Sequence, residues 1–299
     1  MLHTIIMLCA LSIQPAAQQA STQPAATATA TSPATSPARA FMESLAKTDD
    51  SINSMTGDVQ YTIIQALESD LQKRIGKLYL TTDHDTGKRG YAVRFNSLQL
   101  DNRLSDIREH YIFDGRWFVE RLPDQKQFNK RELVAKGEQL DPMELMREAP
   151  FWVSLGRNTD RVFESYTIDL LDRTDGLANN KDFPELSYLI ETIDNTQQIK
   201  LTPKPNTAVQ DDWEWVRIWF NNDTNLPMLY VKADWTGDLQ IVQLFDVKTN
   251  TELDPNLFDT TTPPVESGWN SQISEWRGEA DKATVNSQTI EYEVIEQTP

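Results

Sequence analysis

The chain has 299 residues, room for one large domain or two small ones and for a core that needs no covalent staples. Its 45 acidic and 28 basic residues leave a formal charge of −17, which argues against nucleic acid as a partner, because neutralising phosphates takes a basic surface. The same balance disfavours broad contact with anionic lipid headgroups and suits a soluble chain that resists self-association, hence a monomer.

Residues 1–20 contain a short apolar run from Ile5 to Leu11 followed by Ala16, Ala17 and Ala20, the pattern of a secretory signal peptide, although no Lys or Arg precedes it. The run is too short to cross a bilayer as a helix. Cys9, the one cysteine, lies inside the run rather than after it, so no lipidation site is read there. Export would leave a cysteine-free chain in the periplasm, an oxidising compartment, without disulfide or thiolate chemistry. Residues 21–38 are Ala/Thr/Pro/Ser-rich without apolar periodicity and read as a disordered linker.

From Arg39 the pattern becomes structured. Residues 39–48 predict a short amphipathic helix with Phe41, Leu45 and Met42 on one face. Alternation then sets in, with Val59, Tyr61 and Ile63 on one side of a strand and Leu78 and Leu80 on one side of the next. After the turn at 83–90, Tyr91, Val93 and Phe95 share a side, and Asp114-Gly115 marks a hairpin. Asp141 as N-cap, Pro142 in the first turn and Pro150 as stop predict a helix over 141–149. Strands are expected again over 162–172, 187–194, 197–203, 213–220, 226–235 and 239–247, the last two joined by a Gly237 turn. The tail beyond residue 266 shows no clear period until a late strand at 289–295. Short connections favour antiparallel pairing.

In this order the chain resembles the LolA family of periplasmic outer-membrane lipoprotein carriers. The residues that carry the resemblance are the opening helix and strand from Phe41, Gly76-Lys77-Leu78 of the second strand, and Asp114, Gly115, Pro123 and Gln127 of the hairpin. Leu201, Pro203 and Lys204, together with the closing Pro263-Pro264, complete it. None of these is specific alone; their order and spacing from Phe41 to Pro264 is. The resemblance implies a mainly β (α+β) fold, a strongly curved, unclosed antiparallel half-barrel with a helical lid over residues 39–265. It implies lipoprotein acyl chains or other lipids as ligand, with an inner-membrane transporter and an outer-membrane acceptor as partners. It implies no cofactor and no catalysis. Residues 266–299 are an extension without a counterpart. The family's lid-latching arginine at the end of the second strand is replaced by Thr81 and Thr82, with Arg74 and Arg94 as uncertain substitutes. A relative of the family regulates envelope stress, so a lipid sensor on the same fold stays open.

On that fold the inward set would be Val59, Tyr61 and Ile63; Leu78 and Leu80; Val93 and Phe95; and Val216, Ile218 and Phe220. The lid surfaces would be Phe41, Leu45, Met143, Leu145 and Met146. The strand at 213–220 is apolar on both faces, so its parity is open, and the tail with Trp269 and Trp276 is a candidate cover for one face. The plain alternative is that all these residues form a filled core. A 16-carbon chain would gain about 12 kcal/mol at roughly 0.8 kcal/mol per methylene, so a reversible carrier needs a lid whose displacement weakens binding. No catalytic motif is present. Asp83-His84-Asp85 reads as a polar turn, His110 has no visible partner, and carboxylates with eight tryptophans leave a carbohydrate-active domain as a third reading.

Overall fold

The computed structural model describes residues 36–276 apart from 68–69, 101–102, 137, 139–158, 179 and 182. The expected signal peptide, nearly all of the linker, the helix at 141–149 with Met143, Leu145 and Met146, and the late strand at 289–295 lie outside the described residues. A helix α1 (Pro37–Asp50) opens the described chain. Six strands follow: β1 (Ser54–Gln65), β2 (Asp70–Thr82), β3 (Arg89–Leu100), β4 (Arg103–Phe113), β5 (Trp117–Leu122) and β6 (Gln127–Glu132). Then come α2 (Thr159–Ser165), β7 (Tyr166–Leu171), a 3-10 helix at Pro184–Thr192, β8 (Thr196–Pro203), β9 (Trp215–Asn221), β10 (Pro227–Ala233) and β11 (Leu239–Thr249). A last strand, β12 (Asn270–Ser274), ends the described part.

The strands form one unclosed sheet in the order β12-β6-β5-β4-β3-β2-β1-β11-β10-β9-β8-β7. Every neighbouring pair is antiparallel except β12 with β6, which is parallel. The expectation of a purely antiparallel sheet is corrected there: β12 arrives after a crossover from the far side of the sheet and enters in the same direction as β6. Its side chains are all exposed, so backbone pairing is what holds it, and no apolar alternation marked it in the sequence.

The sheet is bent. α1 reaches both β3, through Asp49 and Arg89, and β7, which stands seven places away in the sheet. Laid flat, those strands would be about 34 Å apart at roughly 4.8 Å per strand, whereas a helix of 14 residues is about 21 Å long. Register shifts supply the bend: at Thr56/Asp58 of β1 against β11 and at Ile75/Gly76 of β2 against β3. Gly76 is needed at the second, because a Cβ there would lie 2.1 Å from the Arg94 carbonyl oxygen.

Apolar side chains fill the concave side beneath α1 and α2, and two further segments cover parts of the convex side. Residues 173–193, including the 3-10 helix, pack Leu177, Leu186, Leu189 and Ile193 against Trp215, Trp219, Leu229, Val231 and Ile241 of β9–β11. Residues 255–269 bring Phe258 and Trp269 against Ala92, Ile112, Val119 and Phe128 of β3–β6. The strand expected at 187–194 is therefore a 3-10 helix, because its apolar residues recur at three- and four-residue spacing toward one cover face. The strand expected from 162 begins only at Tyr166, after α2. The Trp215/Trp219 face is sealed by 173–193 rather than by the tail, which lies over β3–β6 instead.

Candidate functional site: a concave apolar face under a tethered helix

Antiparallel register carries one face across the sheet. Tyr61 stands opposite Val242, which stands opposite Tyr230, which stands opposite Ile218, then Ile199. In the other direction Leu78 faces Val93, and Val93 faces Tyr111. All ten residues expected to point inward belong to this face. Val59, Tyr61, Leu78, Val93, Phe95, Val216, Ile218 and Phe220 are buried in one cluster, with Ile63 and Leu80 packed against it. The open parity at 213–220 is thereby resolved for Val216, Ile218 and Phe220. Trp213, just ahead of β9, also turns inward, stacked on Tyr166 at 5.9 Å with ring planes 2° apart.

The face is rich in aromatic contacts. Tyr61 stacks on Phe95 at 6.3 Å, Phe95 meets Tyr111 edge-on at 6.0 Å, and Tyr91 lies 5.8 Å from Phe113. One charge pair is embedded in it: Arg74 Nε donates to Glu109 Oε2 at 2.9 Å, both side chains largely buried. Arg74 is thus engaged inside the hollow, and Arg94 lies on the opposite face, so neither substitutes for a lid latch.

The lid is α1. Ser36 caps it, its Oγ accepting from the Arg39 amide at 3.2 Å, and Pro37 supplies a pre-set first turn. Met42 and Leu45 are buried beneath it, and Phe41 meets Phe220 edge-on at 5.7 Å. Both ends are tied by polar contacts. At the N-terminal end Arg39 pairs with Asp160 at 2.6 Å and lies over the Phe163 ring at 4.6 Å. At the C-terminal end Asp49 pairs with Arg89, and Asn225 Nδ2 donates to Thr48 Oγ1 at 3.2 Å. Arg89 stands directly across from Thr82 in the β2–β3 register, so a guanidinium occupies the same end of the hollow from the adjacent strand. In the sequence Arg89 fell inside the turn read at 83–90, and only the strand register sets it opposite Thr82.

Between α1 and the strand ends lies a cavity of about 50 Å³, lined by Leu45, Met55, Leu80, Leu226 and Arg89 among others. That is room for about four waters and for no acyl chain. Beneath α1 the described apolar side chains of the concave face pack together in one cluster. Lys232, opposite Val216 on this face, lies 5.8 Å from the Trp213 ring, and burial pushes its ammonium down to about 8.

No family model matches the chain, and no curated protein matches it. Solved structures do. An uncharacterized conserved protein from Thermus thermophilus aligns over 81% of this chain and 100% of its own, at 10% identity and a TM-score of 0.42. The MucA/MucB complex of Pseudomonas aeruginosa aligns over 75% of this chain and 61% of that one, at 14% identity and a TM-score of 0.39. A putative outer membrane lipoprotein-sorting protein domain from Vibrio parahaemolyticus aligns over 74% of this chain and 96% of its own, at 10% identity and a TM-score of 0.35. The architecture itself, a mostly β, unclosed, bent sheet with a helix in its hollow, matches the half-barrel with a helical lid expected from the sequence.

Proposed function

We propose that this protein is a periplasmic, non-catalytic carrier that shelters the acyl chains of lipoproteins on the concave face of its sheet. The observation that carries the reading is the closure. A continuous apolar face is covered by a helix whose ends are held to the rest of the fold by charged and polar tethers. A helix meant only to seal a core gains little from such tethers; one that must open gains a reversible catch.

The energetics fit a reversible carrier. A 16-carbon chain is worth about 12 kcal/mol when removed from water. To enter, it must displace Phe41, Met42 and Leu45, each worth about 1.5–3 kcal/mol when buried. The net gain falls to roughly 3–8 kcal/mol, in the millimolar-to-micromolar range where ligand can be handed on. The inward residues Val59, Tyr61, Ile63, Leu78, Leu80, Val93, Phe95, Val216, Ile218 and Phe220 would contact the chain. An inner-membrane transporter would load it and an outer-membrane acceptor would receive it.

The test is titration of the purified chain with an environment-sensitive fluorescent fatty acyl probe, followed by displacement with a triacylated lipopeptide. Saturable emission that the lipopeptide reverses supports the reading. Absence of probe binding, in the wild type and in a lid-loosened Arg89→Gln variant, refutes it.

A further inference from the structure

We propose that the convex surface of β3–β5 carries a binding site for a small phosphate dianion, free or borne as a monoester, built from Arg94, His110 and Arg121. The register places His110 of β4 directly between Arg94 of β3 and Arg121 of β5, so the three side chains stand abreast on one face. This face is opposite to the lipid-facing one, and the site does not depend on the carrier reading.

Two guanidinium groups, two strands apart on one face, flank a neutral imidazole and concentrate positive charge there. Asp259, near enough to Arg121 to interact with it, offsets part of that charge, and the other neighbours are engaged elsewhere. On β4, Arg108 is taken up by Asp124, its Nε lying 2.6 Å from Oδ1. On β2, Lys77 holds Asp58 at 2.7 Å, and on β6, Lys130 donates to the Thr260 carbonyl at 2.9 Å. In the strap over the strands, Asp259 accepts from the Thr261 amide at 2.9 Å. Among the described residues neither Arg94 nor Arg121 forms an ion pair. Arg94 reaches only the Asn256 carbonyl at 3.5 Å, Arg121 lies 5.1 Å from the Trp269 ring, and the Nε of each is buried without a hydrogen-bond partner.

Covering segments flank the row. The 3-10 helix Pro255–Phe258 packs on β3 and β4, Trp269 walls the far side, and His110 remains half-buried rather than sealed. In a chain of charge −17 this is a local excess of positive potential, which His110 itself registers: burial first, then Arg94, Arg121 and Arg108, hold its pKa near 4, with Asp124 opposing. A tetrahedral dianion would accept from both guanidinium groups and the imidazole and offset the positive charge. A single carboxylate neutralises only half of that charge.

The experiment is an NMR titration of the His110 imidazole in the full chain, with chloride as the reference and inorganic phosphate as the probe, repeated with sulfate, which stays a tetrahedral dianion at the pH where His110 titrates and is expected to act in the same direction. Phosphate is expected to raise the His110 pKa saturably from about 4 toward its ordinary 6.5. Arg94→Gln/Arg121→Gln is expected to raise the phosphate-free pKa, by removing two like charges, and to abolish the response to phosphate. Arg121→Lys, which keeps the charge but loses the fork, tests the same point if the double variant does not fold. It should leave the phosphate-free pKa in place and weaken the response several-fold. Sedimentation with phosphatidic acid vesicles against phosphatidylcholine vesicles separates the sources. Sedimentation with the former that requires Arg94 and Arg121 assigns a lipid headgroup, and a phosphate response without it assigns a soluble phosphate. A His110 pKa indifferent to millimolar phosphate in the wild type, with vesicle binding absent or unchanged in the variants, overturns the site.

Discussion

Replacing Arg89 by Gln removes the guanidinium that holds the C-terminal end of α1 to β3. The pair is mostly buried, with side-chain exposures of 12% for Arg89 and 19% for Asp49. Exposed pairs are worth about 0.2–1 kcal/mol, and breaking a fully buried pair costs about 3–5 kcal/mol. This one falls between, at about 2–3 kcal/mol. The substitution also takes the Arg89 charge away from Asp49, which stands at the negative end of a helix dipole. Because α1 is the element released, the loss should fall on lid opening before global unfolding. Amide hydrogen exchange over residues 37–50 should accelerate about 30- to 150-fold while exchange in β1, β2 and β11 changes little. If opening precedes binding, affinity for the acyl probe should rise by a similar factor. The double variant Asp49→Asn/Arg89→Gln, which removes both charges, should recover part of the protection. Unchanged exchange in α1, or weaker probe binding in Arg89→Gln, would refute a catch that opposes loading.

Other perturbations test the packing around the same hollow. Leu45→Ala enlarges the cavity of about 50 Å³ that Leu45 already lines and should cost about 2–5 kcal/mol, read as a lower urea midpoint. Gly76→Ala drives a Cβ to 2.1 Å from the Arg94 carbonyl and 2.7 Å from the Phe95 Cα, both backbone, so β2 and β3 must separate. A loss of more than about 3 kcal/mol, seen as insoluble expression or a collapsed melting transition, is expected. Lys232 has a folded pKa lowered to about 8 from 10.5, so the unfolded chain binds more protons between those values. Its contribution to stability therefore rises with pH above 8 and is least favourable below 8. Lys232→Met should be more stable than wild type near pH 7, with the difference shrinking as pH rises toward about 10 in paired denaturation curves.

The concave face was legible because its signal is the simplest a sheet offers. Alternation at Val59/Tyr61/Ile63 and Val93/Phe95 fixed parity within each strand, and the resemblance implied the curved, unclosed sheet that carries them. Parity at 213–220 could not be read, because Val216, Ile218 and Phe220 face the hollow while Trp215 and Trp219 face a second apolar cover. A strand buried on both sides has no alternation to read. The cover itself was misread for a related reason: Leu186, Leu189 and Ile193 lie within a β-rich composition, and only their spacing betrays a helical turn. β12 left no apolar trace because all five of its side chains are exposed. Arg89 was missed because latching is a property of register. Its position opposite Thr82 exists only once the β2–β3 turn length is known.

The covers also decide where a guest can go. On the convex side, residues 173–193 are pinned by buried contacts: Trp219 Nε1 donates to the Arg173 carbonyl at 2.7 Å, and Gln198 Nε2 donates to the Asp175 carbonyl at 3.0 Å. Residues 255–269 are held by Thr260 Oγ1 on Asp114 at 2.7 Å and by the Lys130 contact. Lifting residues 173–193 strips the fully buried Leu177, Leu186, Leu189 and Ile193 off the sheet, whereas lifting 255–269 uncovers the partly buried Phe258 and Trp269. Lifting α1 breaks two charged tethers near the ends of the hollow and uncovers a face already wide enough, from β3 to β8, to take a long chain. Among these covers, α1 is the one that lies over the concave apolar face, and both of its ends are held by charged pairs.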